Sequence, residues 1–124
     1  MSTVVPGQEY RTVHFALTAG TETTVYTCGD DGETFADVSS ISVTASTGTA
    51  GTATVTHYRS GVGYVLCYQG SVGANLPLTL TMEPTLSLII ANGTADIIKV
   101  TGANLQHVHI TMVRGGSRLT GQPG

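Results

Sequence analysis

From Leu76 to Glu83 the chain sets an apolar side chain at every second position, Leu76, Leu78, Leu80 and Met82, with small or polar residues between them. Successive side chains of a β-strand point to opposite faces, so this spacing makes one buried face and one wet face. The same period of two recurs along almost the whole sequence, and no segment holds a helical period. Val13, Phe15 and Leu17 mark a first strand, and Thr23 to Cys28 a second. Val38, then Ile41, Val43 and Ala45, mark a third. The step from Val38 to Ile41 is odd, and a one-residue slip flips faces, so a β-bulge is expected at Ser39-Ser40.

Ala53, Val55 and His57 alternate in a fourth strand, and Arg59-Ser60-Gly61 turns it into a fifth, Val62 to Tyr68. Leu76 to Glu83 follows and is expected to end at Pro84, which has no N–H for a ladder. Leu86, Leu88 and Ile90 form the next strand, closed by Asn92-Gly93, a strong hairpin signal. The last two strands are expected over 96–101 and 105–114. In the final one Val108, Ile110 and Met112 share a face opposite His107, His109 and Thr111. Short strands at this spacing, with no crossover helix, predict an all-β fold. It is a single antiparallel β-sandwich of about eight to nine short strands, jelly-roll-like or Greek-key. Residues 1–9, broken by Pro6-Gly7, are expected to form an N-terminal arm, 10–114 the sandwich, and 115–124 a flexible C-terminal tail.

A chain of 124 residues fits one domain with one core. Only 10% of it is charged, against about 25% in typical soluble domains. Thr, Ser and Gly coat the wet faces instead. Interface cores are depleted of charge, so such a surface suits burial against partner subunits. A neutral, threonine-coated monomer is the alternative. No apolar run approaches the roughly 20 residues of a membrane span, and the N-terminus lacks the pattern of a secretory signal. A net charge of −3 with scattered cations (Arg11, Arg59, Lys99, Arg114 and Arg118) argues against direct nucleic-acid binding. Cys28 and Cys67 could pair, but two cysteines are no disulfide framework, and two reduced thiols are expected.

His107-Val108-His109 is the sharpest chemical candidate. Histidines at i and i+2 share a strand face and could hold a transition metal if His14, His57, a carboxylate or a second copy completed the set. Two ligands alone are a weak signal; the other reading is a pair of wet-face residues. Asp30-Asp31-Gly32-Glu33, with Asp37 beyond, groups most of the acids, yet lacks calcium-loop spacing and reads as a solvated turn. No nucleophile motif occurs, and nothing singles out Glu83 and Asp96 as paired catalytic carboxylates. The chain is therefore read as a non-enzyme with no catalytic, cofactor or metal residue assigned. Tyr58, Tyr64 and Tyr68 could form a sugar-stacking platform across the fourth and fifth strands. Core filling or an intersubunit contact is the other reading.

Several stretches together resemble small β-sandwich virion structural proteins of tailed bacteriophages. They are Thr23-Thr24-Val25-Tyr26-Thr27, Val38-Ser39-Ser40-Ile41-Ser42-Val43-Thr44 and Thr52-Ala53-Thr54-Val55-Thr56, then Leu78-Thr79-Leu80 with Leu86-Ser87-Leu88. A last hairpin from Ala95-Asp96-Ile97-Ile98 to His107–Val113 completes the likeness. It runs from about residue 13 to 114. Asp30–Glu33 stands where that pattern usually has a proline-glycine stretch. The resemblance implies a structural protein without catalytic residues: a capsid decoration (cement) protein, or a neck or tail component. The implied partners are the major capsid protein and copies of itself, with a trimer as one implied assembly. The implied location is the capsid surface after synthesis in the host cytoplasm. A carbohydrate-binding or receptor-binding tail module is the rival.

Overall fold

The computed structural model describes residues 8–116. Nine strands follow in chain order: β1 (Gln8–Leu17), β2 (Thr23–Thr27), β3 (Phe35–Ala45), β4 (Gly51–Arg59), β5 (Val62–Val72), β6 (Leu78–Ala91), β7 (Thr94–Ala95), β8 (Ile97–Gly102) and β9 (Gln106–Gly115). Two antiparallel sheets stack, in the orders β1-β9-β3-β6-β7 and β2-β8-β4-β5. The predicted all-β sandwich is thus observed, with jelly-roll connectivity. Only β4–β5 and β6–β7 are hairpins, and the other connections cross between sheets. Both hairpins turn on two residues with positive φ, Ser60-Gly61 and Asn92-Gly93, as tight right-twisted hairpins require.

The inner faces are those the alternation marks. Ala36, Val38, Ile41, Val43, Leu88, Val108, Ile110 and Met112 from one sheet meet Ala53, Val55, Ile98 and Val100 from the other, all essentially without solvent contact. The bulge falls where the slip predicts it. β3 loses one register step between Val38 and Ser40 against β9, and the Ser39 hydroxyl donates to Thr111 O at 3.1 Å. Without that extra residue either the 36/38 pair or the 41/43 pair would face water.

Several boundaries differ from the sequence-based expectation. Pro84 does not end a strand: β6 runs through it, and the register with β3 jumps from Leu86 to Thr81 across Ser39. Most of β6 lies on the sheet edge, since β7 covers only Ile90 and Ala91, so a missing N–H there breaks no ladder bond. Leu76 sits in the preceding loop and is 73% exposed. Residues 95–98 and 107–113 do not form a hairpin, because β8 and β9 belong to different sheets. Gln8 and Glu9 belong to β1, opposite Gly115 and Arg114, so Gln8, Glu9 and Gly115, assigned to the arms above, extend the sheet. The rest of both arms lies outside the described residues.

Candidate functional site

The outer face of β1 and β9 gathers three of the four histidines. His14 and His109 are cross-strand partners, with ring centroids 4.7 Å apart, near-perpendicular rings, and Nδ1 atoms 2.6 Å apart. At that distance one Nδ1 carries the proton and the other accepts it, which fixes opposite tautomers on the two rings. Burial, then neighbouring His14 and His107, push the His109 pKa below the usual imidazole value. His14, Phe15, Ala16, His107 and His109 line an open hollow of about 230 Å³. Among the described residues no three His, Cys, Asp or Glu side chains are grouped closely enough to hold a metal. Thus the close pair is His14 with His109, a cross-strand contact, and not His107 with His109.

His57 lies elsewhere, in a buried polar clasp that the sequence reading missed. Asp96 is fully enclosed. Its carboxylate accepts from Arg59 Nη2 at 2.6 Å, Arg59 Nε at 3.0 Å, Ile89 N at 3.1 Å and His57 Nε2 at 3.2 Å. Burial alone would raise the Asp96 pKa, but the Arg59, Ile89 and His57 hydrogen bonds outweigh it and hold the carboxyl below its ordinary value. Arg59 also donates to Ser87 O at 3.0 Å, so the clasp joins β4 and the start of β8 to β6 in the opposite sheet.

The acidic loop is not a solvated turn throughout. Glu33 is buried and accepts a short hydrogen bond from the Tyr26 hydroxyl and one from Asp31 N at 2.9 Å. Arg114, itself buried, reaches Glu9 at 2.7 Å, Asp31 at 2.8 Å and Glu33 at 3.5 Å. Desolvation works against the charge on Glu33. The Tyr26 hydroxyl and the loop's backbone hydrogen bonds win, and its pKa falls below the ordinary carboxylate value. Gly29 and Gly32, both at positive φ, curl the chain inward to present that carboxylate. Asp30 stays exposed, and Asp37 lies apart on β3.

The remaining candidates separate. Tyr58 pairs with Gly63 while Tyr64 pairs with His57, so the two rings leave opposite faces of the sheet and no three-tyrosine platform forms. Tyr58 instead carries Lys99 Nζ 4.9 Å from its ring centre and donates to Glu22 at 3.0 Å. Tyr64 and Tyr68 are exposed. Both cysteines are free, Cys28 buried and Cys67 half-buried. Burial, then Glu33 and Asp96, push the Cys28 thiol up to about 11, which keeps it protonated and unreactive at neutral pH. Glu83 is exposed on β6 whereas Asp96 is bound in its clasp.

The edges of the two sheets differ sharply. β5 is kinked by two register shifts, β2 is short, and β6 carries Pro84 and the wide register jump. β1 alone keeps an unbroken ten-pair register with its neighbour and, among the described residues, has no strand on its other side, with Phe15 exposed along it. Natural sheets usually blunt such an edge with charge, proline, a bulge or a cover; here Glu9 and Arg11 charge only the first half of β1.

No family model and no curated protein matches the sequence. Among solved structures the chain is similar to a protein of the Bacillus endospore appendages, described as disulfide-linked pili. That likeness has a TM-score of 0.48 at 18% identity and covers 93% of this chain and 96% of that one. It is also similar to a chain of the infectious bursal disease virus Gx strain, with a TM-score of 0.47 at 11% identity over 91% of this chain. It spans about a third of that viral chain (33%). Both are likenesses of overall shape, and no residue role passes from either to this chain.

Proposed function

We propose that this protein is a structural subunit that works through protein–protein contacts. In a tailed-phage particle it would be a decoration protein that binds the major capsid protein and further copies of itself. The observation that carries the reading is the β1 edge, long, regular and, among the described residues, without a further strand beside it, on a molecule with little charge to keep copies apart. A strand added there would gain main-chain hydrogen bonds along β1 and cover Phe15. The buried polar clusters support the same reading, since each ties strands together and leaves its groups fully engaged.

Sedimentation or light scattering of the purified protein, with and without undecorated capsids, tests this reading. Concentration-dependent association, lost in the double variant Thr12→Lys/Phe15→Lys while the far-UV spectrum is kept, is the expected result. Wild-type protein that stays monomeric and ignores capsids would end the proposal. A carbohydrate-binding tail module is the second reading, favoured by the exposure of Tyr64 and Tyr68 at 54% and 72%. Glycan binding that Tyr64→Ala removes would put it first.

A further inference from the structure

We propose that His14 and His109 form a two-armed chelate for a borderline divalent transition ion of the Cu²⁺ or Ni²⁺ class on the outer face of β1 and β9. The two Nδ1 atoms already face one another at 2.6 Å across a ladder of ten continuous residue pairs. A transition ion bonds imidazole nitrogen at about 2.0–2.1 Å, which at an angle of roughly 90–110° places two such nitrogens about 2.9–3.4 Å apart. Opening the pair by roughly 0.3–0.8 Å is therefore enough, a displacement that small χ rotations of two surface rings supply. The ion would replace the proton the rings now share.

Binding needs little ordering of the chain. β9 is held on both sides, by β1 and β3, so the two Cα positions are set before any ion arrives. The hollow of about 230 Å³ over the pair leaves room for the water molecules that complete the ion's coordination. His107 lines the same hollow, but it pairs with Ala16 and does not join a three-ligand group. Two imidazoles without carboxylate or thiolate select against Ca²⁺ and Mg²⁺, which want oxygen, and favour Cu²⁺ over Ni²⁺ by the usual stability order. In an assembly seated on β1, an ion here would lie beside the joint.

Calorimetric titration of the full chain with Cu²⁺, Ni²⁺ and Mg²⁺ at neutral pH tests the assignment. The expected result is one saturable site per chain, tighter for Cu²⁺ than Ni²⁺ and absent for Mg²⁺. His14→Ala and His109→Ala should each weaken it by at least about tenfold, because either loss removes the second arm of the chelate. His107→Ala and His57→Ala should change it by less than about threefold. Thermal unfolding of each variant without metal checks that it is folded, and shifts of the two imidazole ring signals with Zn²⁺ give an independent reading on unmutated protein. Absence of saturable binding, or a loss on His107→Ala equal to that on His14→Ala, overturns the proposal.

Discussion

Arg59 grips Asp96 through two nitrogens, at 2.6 and 3.0 Å, although they stand 37 residues apart and Asp96 has no solvent contact. The carboxylate accepts from four donors, so Asp96→Asn takes the charge that Arg59, His57 and Ile89 N converge on and sets an NH2 donor where one acceptor stood. Breaking an enclosed pair from one side typically costs about 3–5 kcal/mol; Arg59 reaches solvent, which brings the expectation for Asp96→Asn to roughly 2–3 kcal/mol. Arg59→Met should be at least as harmful, because it strands the buried carboxylate. Urea midpoints at neutral pH measure both. A variant at either position within about 0.5 kcal/mol of wild type would show that the clasp adds nothing to stability.

Acid should unfold this protein through the same groups. Asp96 and Glu33 both have folded-state pKa values below their ordinary ones. A depressed carboxylate binds protons less readily folded than unfolded, so its stabilisation is complete above the unfolded value of about 4. It is lost as pH falls through that value toward the depressed one. Stability should therefore drop below about pH 4, after a gentler decline that begins below about 6.5, where the unfolded chain protonates His109 more readily than the folded one does. Glu33→Gln should flatten part of that acid limb, and a series of urea titrations against pH reads the slope. An unchanged slope would mean that Glu33 is not the group being titrated.

Ser39 keeps the two halves of β3 in phase. Deleting it would leave Ala36 and Val38, or else Ile41 and Val43, facing solvent, four side chains that are now wholly buried. Burial of a valine or isoleucine side chain is worth about 1.5–3 kcal/mol, so exposing Ile41 and Val43, or Val38 with the smaller Ala36, removes a large share of a small domain's stability of about 5–15 kcal/mol. The deletion should abolish cooperative unfolding. Ser39→Ala removes only the bond to Thr111 O and should cost about 0.5–1.5 kcal/mol. A deletion variant with a sharp transition near the wild-type midpoint would refute the phase argument.

That bulge was legible in the sequence because its signal is local: a two-residue period slips by one at Ser39-Ser40. The Asn92-Gly93 turn was legible for the same reason, and so were the inner faces of β3, β4 and β9. The Arg59–Asp96 clasp carries no such mark, since its register is set by the stacking of two sheets. Glu33 was misread because Asp30, Asp31 and Gly32 give its loop the composition of a solvated turn, while the cation that draws it inward sits on β9. The His14–His109 contact needed the pairing of the first and last strands, which no local pattern encodes. Sequence spacing showed only the weaker pair, His107 with His109.

Gln106 offers a test in the opposite direction. Its side chain is buried, and Oε1 is the only fully enclosed side-chain polar atom without a partner among the described residues. Its Nε2 makes a long 3.4 Å bond to Thr52 O, which already accepts from Ala103 N at 2.9 Å. An unsatisfied buried acceptor costs about 1–3 kcal/mol, and methionine has nearly the same length without one. Gln106→Met should therefore be neutral to about 1 kcal/mol more stable, whereas most buried substitutions destabilise. Gly102 packs against the carboxamide, so the flexible thioether has to adjust there, and Gln106→Leu with its branch should do worse. Melting temperatures and urea midpoints of the two variants decide it. A loss above about 1 kcal/mol in the methionine variant would mean that the carboxamide is satisfied in solution, by an ordered water at the sandwich end.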